Sequence, residues 1–306
     1  MAFPNGLNFD NVYPYNALEV VERDGQKMMK FPKIFVKGGL LPEGAEFAGK
    51  RFWSISEFPR EGYHVHPAFM HKGEALDYVL IGQYEASSDG TGKPQSLAGK
   101  TPWVNITTPN AIAACLKRNT GDAGSEQYGW HIENVYEYQL ISLLMLIEIG
   151  SPDVQKYIGN GNINGKNVVA TGSTNAVWRD FHEHWANAWE IVDGLKTGAS
   201  GQVLIWDKDG NETYQDTGVI VQDKGFARKK EEGYDLGDLF IPADDGSNTT
   251  FTNSTADYVW TGQNTVCYLG GGWNGGAQSG AFAFYVNYPA SYSCADIGFR
   301  LAKYDI

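Results

Sequence analysis

The sequence predicts an α+β protein in which two helices are surrounded by many short antiparallel strands. Three observations carry this expectation. Thirty-seven glycines are spread over 306 residues, a density that marks many tight turns. Several short runs alternate apolar and polar residues, as strands with one buried face do. Only one stretch, 140–149, is apolar for long enough to make a buried helix.

The elements follow in chain order. Residues 1–30 are polar and aromatic with little periodicity, so 1–50 reads as an N-terminal arm with short strands that hold neighbouring molecules. The remainder, 51–306, reads as one domain. Phe31-Pro-Lys-Ile-Phe-Val-Lys37 alternates and is expected to be a strand, as are 51–58 and 77–84. Thr107-Thr108-Pro109 offers a cap and a first-turn proline for a helix through Arg118. A second helix is expected from near Glu133 to Ile149, stopped by Gly150-Ser-Pro152. It is apolar on nearly every side, so strands should wrap it. Gly159 to Gly165 reads as a loop, and 178–191 as a short helical or extended aromatic segment. From Gly201 the chain reads as hairpins, with 203–206 and 212–214 joined by the turn Asp207-Lys-Asp-Gly210.

Composition removes several functions. A formal net charge of −12 argues against nucleic acid and anionic membranes, which both need a basic footprint. Cys115, Cys267 and Cys294 are too few and too far apart for a disulfide framework or a metal site. The N-terminus lacks a basic start followed by an apolar run, so no signal peptide is expected, and 140–149 is too short to span a bilayer. His64, His66 and His71, and again His182 and His184, have a spacing that puts two imidazoles on one strand face. No acidic or cysteine partner completes either set, so no metal is expected. Asp207 to Asn211 has calcium-loop residue types, but its glycine comes too early for an EF-hand and a hairpin turn is favoured. Gly159–Gly165 follows no strand and opens no helix, which argues against phosphate binding. No cofactor is expected.

The C-terminal stretch 269–302 carries the functional expectation. Phe282, Phe284 and Val286 alternate with Ala283, Tyr285 and Asn287, so the first set should be buried and the second presented to solvent. Extended by Tyr288, Ser291, Tyr292 and Asp296, the presented set is rich in Tyr, Ser and Asn. Binding loops use that mixture because tyrosine gives rigid amphipathic area and small polar residues adapt.

Gly271-Gly-Trp273-Asn274, followed by Ile297-Gly298-Phe299-Arg300, resembles the closing motif of the formylglycine-generating-enzyme branch of the C-type lectin fold. Residues 130–138 resemble that family's "RLPTEAEWEY" segment, and 186–193 resemble its "GNVWEWVxD" segment. Together the matches span roughly 100–306 and imply a C-type-lectin-like fold. The family's enzymes hold copper with two cysteines shortly after the Gly-Gly motif. Counted from Trp273, those places fall on Gly275 and Gly280, which offer a soft metal no ligand, so no enzyme is expected.

Within that branch the C-terminus looks most like the variable proteins of diversity-generating retroelements. There, adenine-directed mutagenesis rewrites AAY codons, which can yield Tyr, Ser, Asp, Gly, Ala, Cys or Asn but not Trp, Lys, Glu, Gln or Met. The resemblance implies a variable, ligand-binding region at about 256–300. Its display positions would be Tyr258, Gly272, Gly275, Ala277, Ala283, Tyr285, Asn287, Tyr288, Tyr292, Cys294 and Asp296. Trp189, Trp273, Phe282, Phe284, Phe299 and Arg300 would be scaffold, with Arg300 binding carbonyls or a carboxylate. Gln278 is either fixed or drawn from another codon. The segments Phe31-Pro-Lys-Ile-Phe-Val, Val65-His-Pro-Ala-Phe69 and Asp77-Tyr-Val-Leu-Ile-Gly82 are similar to ones in phage tail-fibre proteins. The implied function is that of a virion tail or surface protein, made in the host cytoplasm, that binds a host cell-surface protein or glycan. Other virion proteins and a second copy of the chain are its further expected partners. The alternatives are a lectin with a fixed glycan site and a structural tail or collar protein.

Overall fold

The structure is a computed structural model and describes residues 6–46, 48, 51–220 and 259–306. Its centre is helix α2, Val135–Ile149, preceded in the chain by the shorter α1, Thr108–Leu116. The Asn134 side chain accepts hydrogen bonds from the N–H groups of Tyr136 and Glu137 at 2.9 and 3.1 Å. The Glu137 carboxylate accepts one from the Asn134 N–H at 2.8 Å. This reciprocal box satisfies donors that a helix start leaves open. Gly150 ends α2 at φ +70°, a conformation that costs a glycine little. Every residue along α2 except Ile147 is buried, which explains its lack of a polar face.

Two sheets enclose this helix. The first has five strands in the order Glu19–Arg23, Gln26–Pro32, Tyr78–Gly82, Leu301–Lys303 and Trp130–Ile132, each antiparallel to its neighbours. The second follows the order Tyr214–Ile220, Gln202–Trp206, Trp189–Thr197, Val266–Leu269, Phe284–Tyr288 and Val259–Thr261. Ile297–Phe299 joins it in parallel beside Trp189–Thr197. This is the expected α+β organisation, with two main helices and many short, mostly antiparallel strands. Among the described residues no helix is long and apolar enough to cross a membrane.

Three expectations about elements change. Within the stretch read as an arm, Glu19–Arg23 and Gln26–Pro32 are strands of the first sheet. Met28, Met29, Phe31 and Ile34 are buried in the core, and apolar side chains of that size need the cover that only the sheet supplies. The strand expected over 31–37 is two strands. Pro32 has no N–H with which to continue a ladder, and after Lys33 and Ile34 the chain enters another sheet as Phe35–Leu40. Residues 178–191 form short strands and turns in place of a helix: Val177–Trp178 pairs with Phe181–His182, and a long strand opens at Trp189. The hairpin after Gly201 forms, with the Asp207 carboxylate accepting from the N–H groups of Asp209 and Asn211 at 3.0 and 3.1 Å.

One side chain ties the two sheets together. Arg300 is wholly buried. Its Nε donates to Glu190 at 2.9 Å, Nη1 to the Gly82 carbonyl at 2.9 Å, and Nη2 to the carbonyls of His182 and Glu183 at 2.9 and 2.8 Å. Its guanidinium also lies 4.5 Å from the Phe181 ring centroid. Gly82 belongs to the first sheet and Glu190 to the second. Arg300→Met should lower stability by roughly 3–5 kcal/mol in urea unfolding, because it strands a buried carboxylate without its partner. An unchanged midpoint would mean that the two sheets are held together by other contacts.

Candidate functional site

The segment Ala186 to Glu190 sets the geometry of the site. Ala186 and Asn187 take φ values of +66° and +56°, turning the chain sharply before Trp189. Asn187 is buried, and its Nδ2 donates to Glu85 at 2.5 Å while its Oδ1 accepts from the Val169 N–H at 2.8 Å. The Ala188 N–H donates to the same Glu85 carboxylate at 3.0 Å. The Asn187 carbonyl accepts from the Trp273 N–H at 3.0 Å, and the Trp189 N–H donates to the Asp296 carbonyl at 2.7 Å. These bonds bring the glycine-rich turn and the last loop to either side of Trp189.

The turn owes its shape to its glycines. A Cβ on Gly271, at φ +83°, would lie 2.4 Å from the Ser279 Cα. One on Gly272 would lie 3.0 Å from Trp189 Cδ1 and 3.2 Å from the Asp296 Cβ. The turn is fastened from below as well, since the Gly276 N–H donates to the Ile163 carbonyl at 2.9 Å and Ser279 Oγ to the Gly272 carbonyl at 2.9 Å.

Between these parts lies a cleft of about 270 Å³. Trp189, only 9 % exposed, and the buried Ile297 form its base. Half-exposed Tyr285, Tyr288 and Tyr292 line it on one side, and Asn274, Gly275, Gln278 and Asp296 complete the lining. The rings are in mutual contact: Trp189 to Tyr285 at 5.3 Å, Tyr285 to Tyr288 edge-on at 5.3 Å, and Tyr288 stacked on Tyr292 at 3.7 Å between centroids. A β-bulge makes this possible. Val266 pairs with Tyr288 but Tyr268 pairs with Tyr285, so one strand advances three residues while its partner advances two. The extra residue brings Tyr285 and Tyr288 to the same side, where simple alternation would have opposed them. Burial, the Cys294 thiol and the Tyr288 hydroxyl push the Tyr292 phenol above its ordinary range, so it stays uncharged at neutral pH. Asp296 is the one carboxylic side chain among the described residues of the lining.

A second cluster lies in the core. Glu133, His184 and Glu190 are all buried and offer ligand atoms within 4.8 Å of one another. Burial, with Glu190 adding to it, holds the Glu133 carboxyl well above the usual range, and burial followed by Arg300 pushes His184 well below its own. The His184 Nε2 meets Ser142 Oγ at 2.9 Å, and its ring stacks on Tyr138 at 4.0 Å. Arg300 already supplies a cation to Glu190 here, so the donor set is one that a divalent ion would have to share with a guanidinium. Of the acidic partners of His184 in this cluster, Glu190 follows six residues later in the chain and Glu133 lies just before α2. His66 is buried with Nδ1 accepting from the Ala68 N–H at 3.2 Å, and burial, then His64 and Lys208, lowers it to about 3.

No protein-family model and no curated protein matches the chain. Among solved structures it is similar to Treponema denticola variable protein 1, with a TM-score of 0.44 and 13 % identity over 94 % of this chain and 98 % of that one. It is also similar to PvdO from Pseudomonas aeruginosa, at TM-score 0.44 and 12 % identity over 94 % and 97 % of the two chains. The U1 variant of the major tropism determinant has a TM-score of 0.40 and 14 % identity, over 99 % of this chain and 70 % of that one.

The structure divides the expected display positions. Gly275, Tyr285, Tyr288, Tyr292 and Asp296 line one cleft, with Cys294 half-buried and Ala277 exposed nearby in the chain. Asn287 is half-exposed but lies outside the lining, because the bulge breaks the alternation that grouped it with Tyr285. Gly272 and Ala283 are corrected to buried positions. Gly272 is packed against Trp189, and Ala283 precedes the strand Phe284–Tyr288, in a turn where its N–H donates to the Gly280 carbonyl. Tyr258 lies outside the described residues. Of the expected scaffold, Phe282, Phe284, Phe299 and Arg300 are buried. Trp273 is instead half-exposed, its indole N–H reaching the Ala295 carbonyl at 3.3 Å, and Trp189 serves the cleft as well as the core. Asn274 lines the cleft from the glycine-rich turn, Ile297 does so although the sequence suggests only a scaffold role, and sequence reasoning set Gln278 aside. The contrast is testable. Ala277→Tyr should change stability by no more than about 0.5 kcal/mol, whereas Gly272→Tyr should cost at least several times that in denaturant unfolding. Equal tolerance at both positions would mean that the turn is not packed on Trp189.

Proposed function

We propose that this chain is a receptor-binding protein of a phage-type virus, carried on the virion tail or surface, whose cleft engages a host cell-surface molecule. The observation that carries the reading is the convergence of Trp189, Tyr285, Tyr288 and Tyr292 around one open cleft. Aromatic anchors beside small polar residues make a binding surface, and the buried strands beneath them keep it preformed. Non-catalytic use of the fold is supported by Gly275 in the lining, a position at which a thiolate would be needed to hold copper.

In this reading Gly275, Ala277, Tyr285, Asn287, Tyr288, Tyr292, Cys294 and Asp296 are the diversified positions, together with Tyr258. All belong to the amino acids reachable from AAY codons, and those within the described residues are at least partly exposed. Gly272 and Ala283 leave the set and join the scaffold. Other virion proteins and a second copy of the chain are its further partners. A lectin with a fixed glycan site is the second reading, and the polar Asn274 and Gln278 beside stacked rings favour it.

Exchanging Tyr285, Tyr288, Tyr292 and Asp296 for Ser, Asn, Asp and Gly should alter which host cells adsorb the protein, while the melting temperature falls by only a few degrees. Identical adsorption by both versions would place recognition elsewhere on the molecule. A near-copy of the codons for about 256–300 beside a reverse-transcriptase gene, differing at adenines, would separate the diversified reading from the fixed lectin.

A further inference from the structure

We propose that the cleft takes a lysine or arginine side chain presented by a protein on the host surface. This rests on the receptor-binding reading and names the chemistry that the cleft selects.

Aromatic rings present negative faces, and several of them around one space attract a cation. Here the base and one side are Trp189, Tyr285, Tyr288 and Tyr292. Asp296 adds a carboxylate to the same lining, and among the described residues neither lysine, arginine nor histidine contributes to it. Among the described residues no ion pair to the Asp296 carboxylate is found. The side-chain carbonyls of Asn274 and Gln278 supply acceptors for ammonium or guanidinium N–H groups. An anionic ligand would meet Asp296 and the ring faces with no donor of positive charge. A neutral sugar would stack and donate hydroxyls to Asp296, but would leave its charge without a counter-charge.

Size points the same way. At about 270 Å³ the cleft is smaller than the roughly 300–1,000 Å³ of sites that enclose a drug-sized molecule, and suits one side chain projecting from a larger surface. The whole chain, at a formal charge of −12, would steer a basic partner toward it.

The test uses the whole protein and ligand-observed saturation-transfer NMR with small probes. N-acetyl-lysine amide and N-acetyl-arginine amide should bind, and N-acetyl-norleucine amide, which has a similar length without the charge, should not. Asp296→Asn should weaken the charged probes by about tenfold, the loss of one charge-assisted contact, with the melting curve unchanged. Tyr292→Leu, which keeps apolar bulk but removes a ring, should weaken them in the same direction. Norleucine amide or methyl glucoside binding as well as the lysine probe would overturn the proposal, as would absence of binding by both charged probes. Tetramethylammonium binding more tightly than either amino-acid probe would also overturn it, by assigning the cleft to quaternary ammonium head groups. If the charged probes fail while the four-residue exchange still changes the host adsorbed, the receptor-binding reading stands and only the cationic ligand is lost.

Discussion

A guanidinium without water around it must find an acceptor for each donor, and much of this molecule is arranged to meet that demand at Arg300. Glu190 and the carbonyls of Gly82, His182 and Glu183 answer it. Those acceptors come from three stretches of chain, so the three cannot shift independently without leaving a buried donor unmet. The cleft inherits this rigidity directly. Trp189 precedes Glu190, and Ile297 and Phe299 lie on the short strand that leads into Arg300. The base of the cleft is therefore only a few residues along the chain from the buried Arg300 network.

The price of that arrangement is visible in the acids gathered around it. Glu85, Glu133 and Glu190 are buried near one cation, and burial raises the carboxyl of each above its usual range, with neighbouring carboxylates adding to the shift. Such a cluster favours specificity of assembly over stability, since apolar residues of equal volume would avoid the desolvation. Glu85 offsets part of the cost by accepting from Asn187 and Ala188, the residues that turn the chain toward Trp189.

The parts legible in the sequence were those with local causes. Asn134, Glu137 and Gly150 bound α2 by chemistry contained within the helix, and the apolar run between them needed no partner to be recognised. What stayed hidden depends on distant pairing. Nothing local announces that Leu301–Lys303 lies between Tyr78–Gly82 and Trp130–Ile132, and Met28 and Phe31 look like an arm only until that sheet is assembled. At the site, the tyrosines were legible as a composition and illegible as a geometry. Strict alternation groups Ala283, Tyr285 and Asn287, but Ala283 sits before its strand begins and a bulge set by pairing with Val266–Leu269 redirects Tyr288. Gly272 looked like a changeable residue because its reason for being glycine, the flank of Trp189, lies eighty-three positions earlier in the chain.

The distribution of the cleft over the gene has a consequence for how such a surface can change. Its tyrosine side and its acid are encoded within one short stretch, residues 285–296, whereas Trp189 is encoded far upstream. Alterations confined to the downstream stretch would redraw the walls and never the base. Such alterations would leave the same indole at the bottom of a differently furnished hollow.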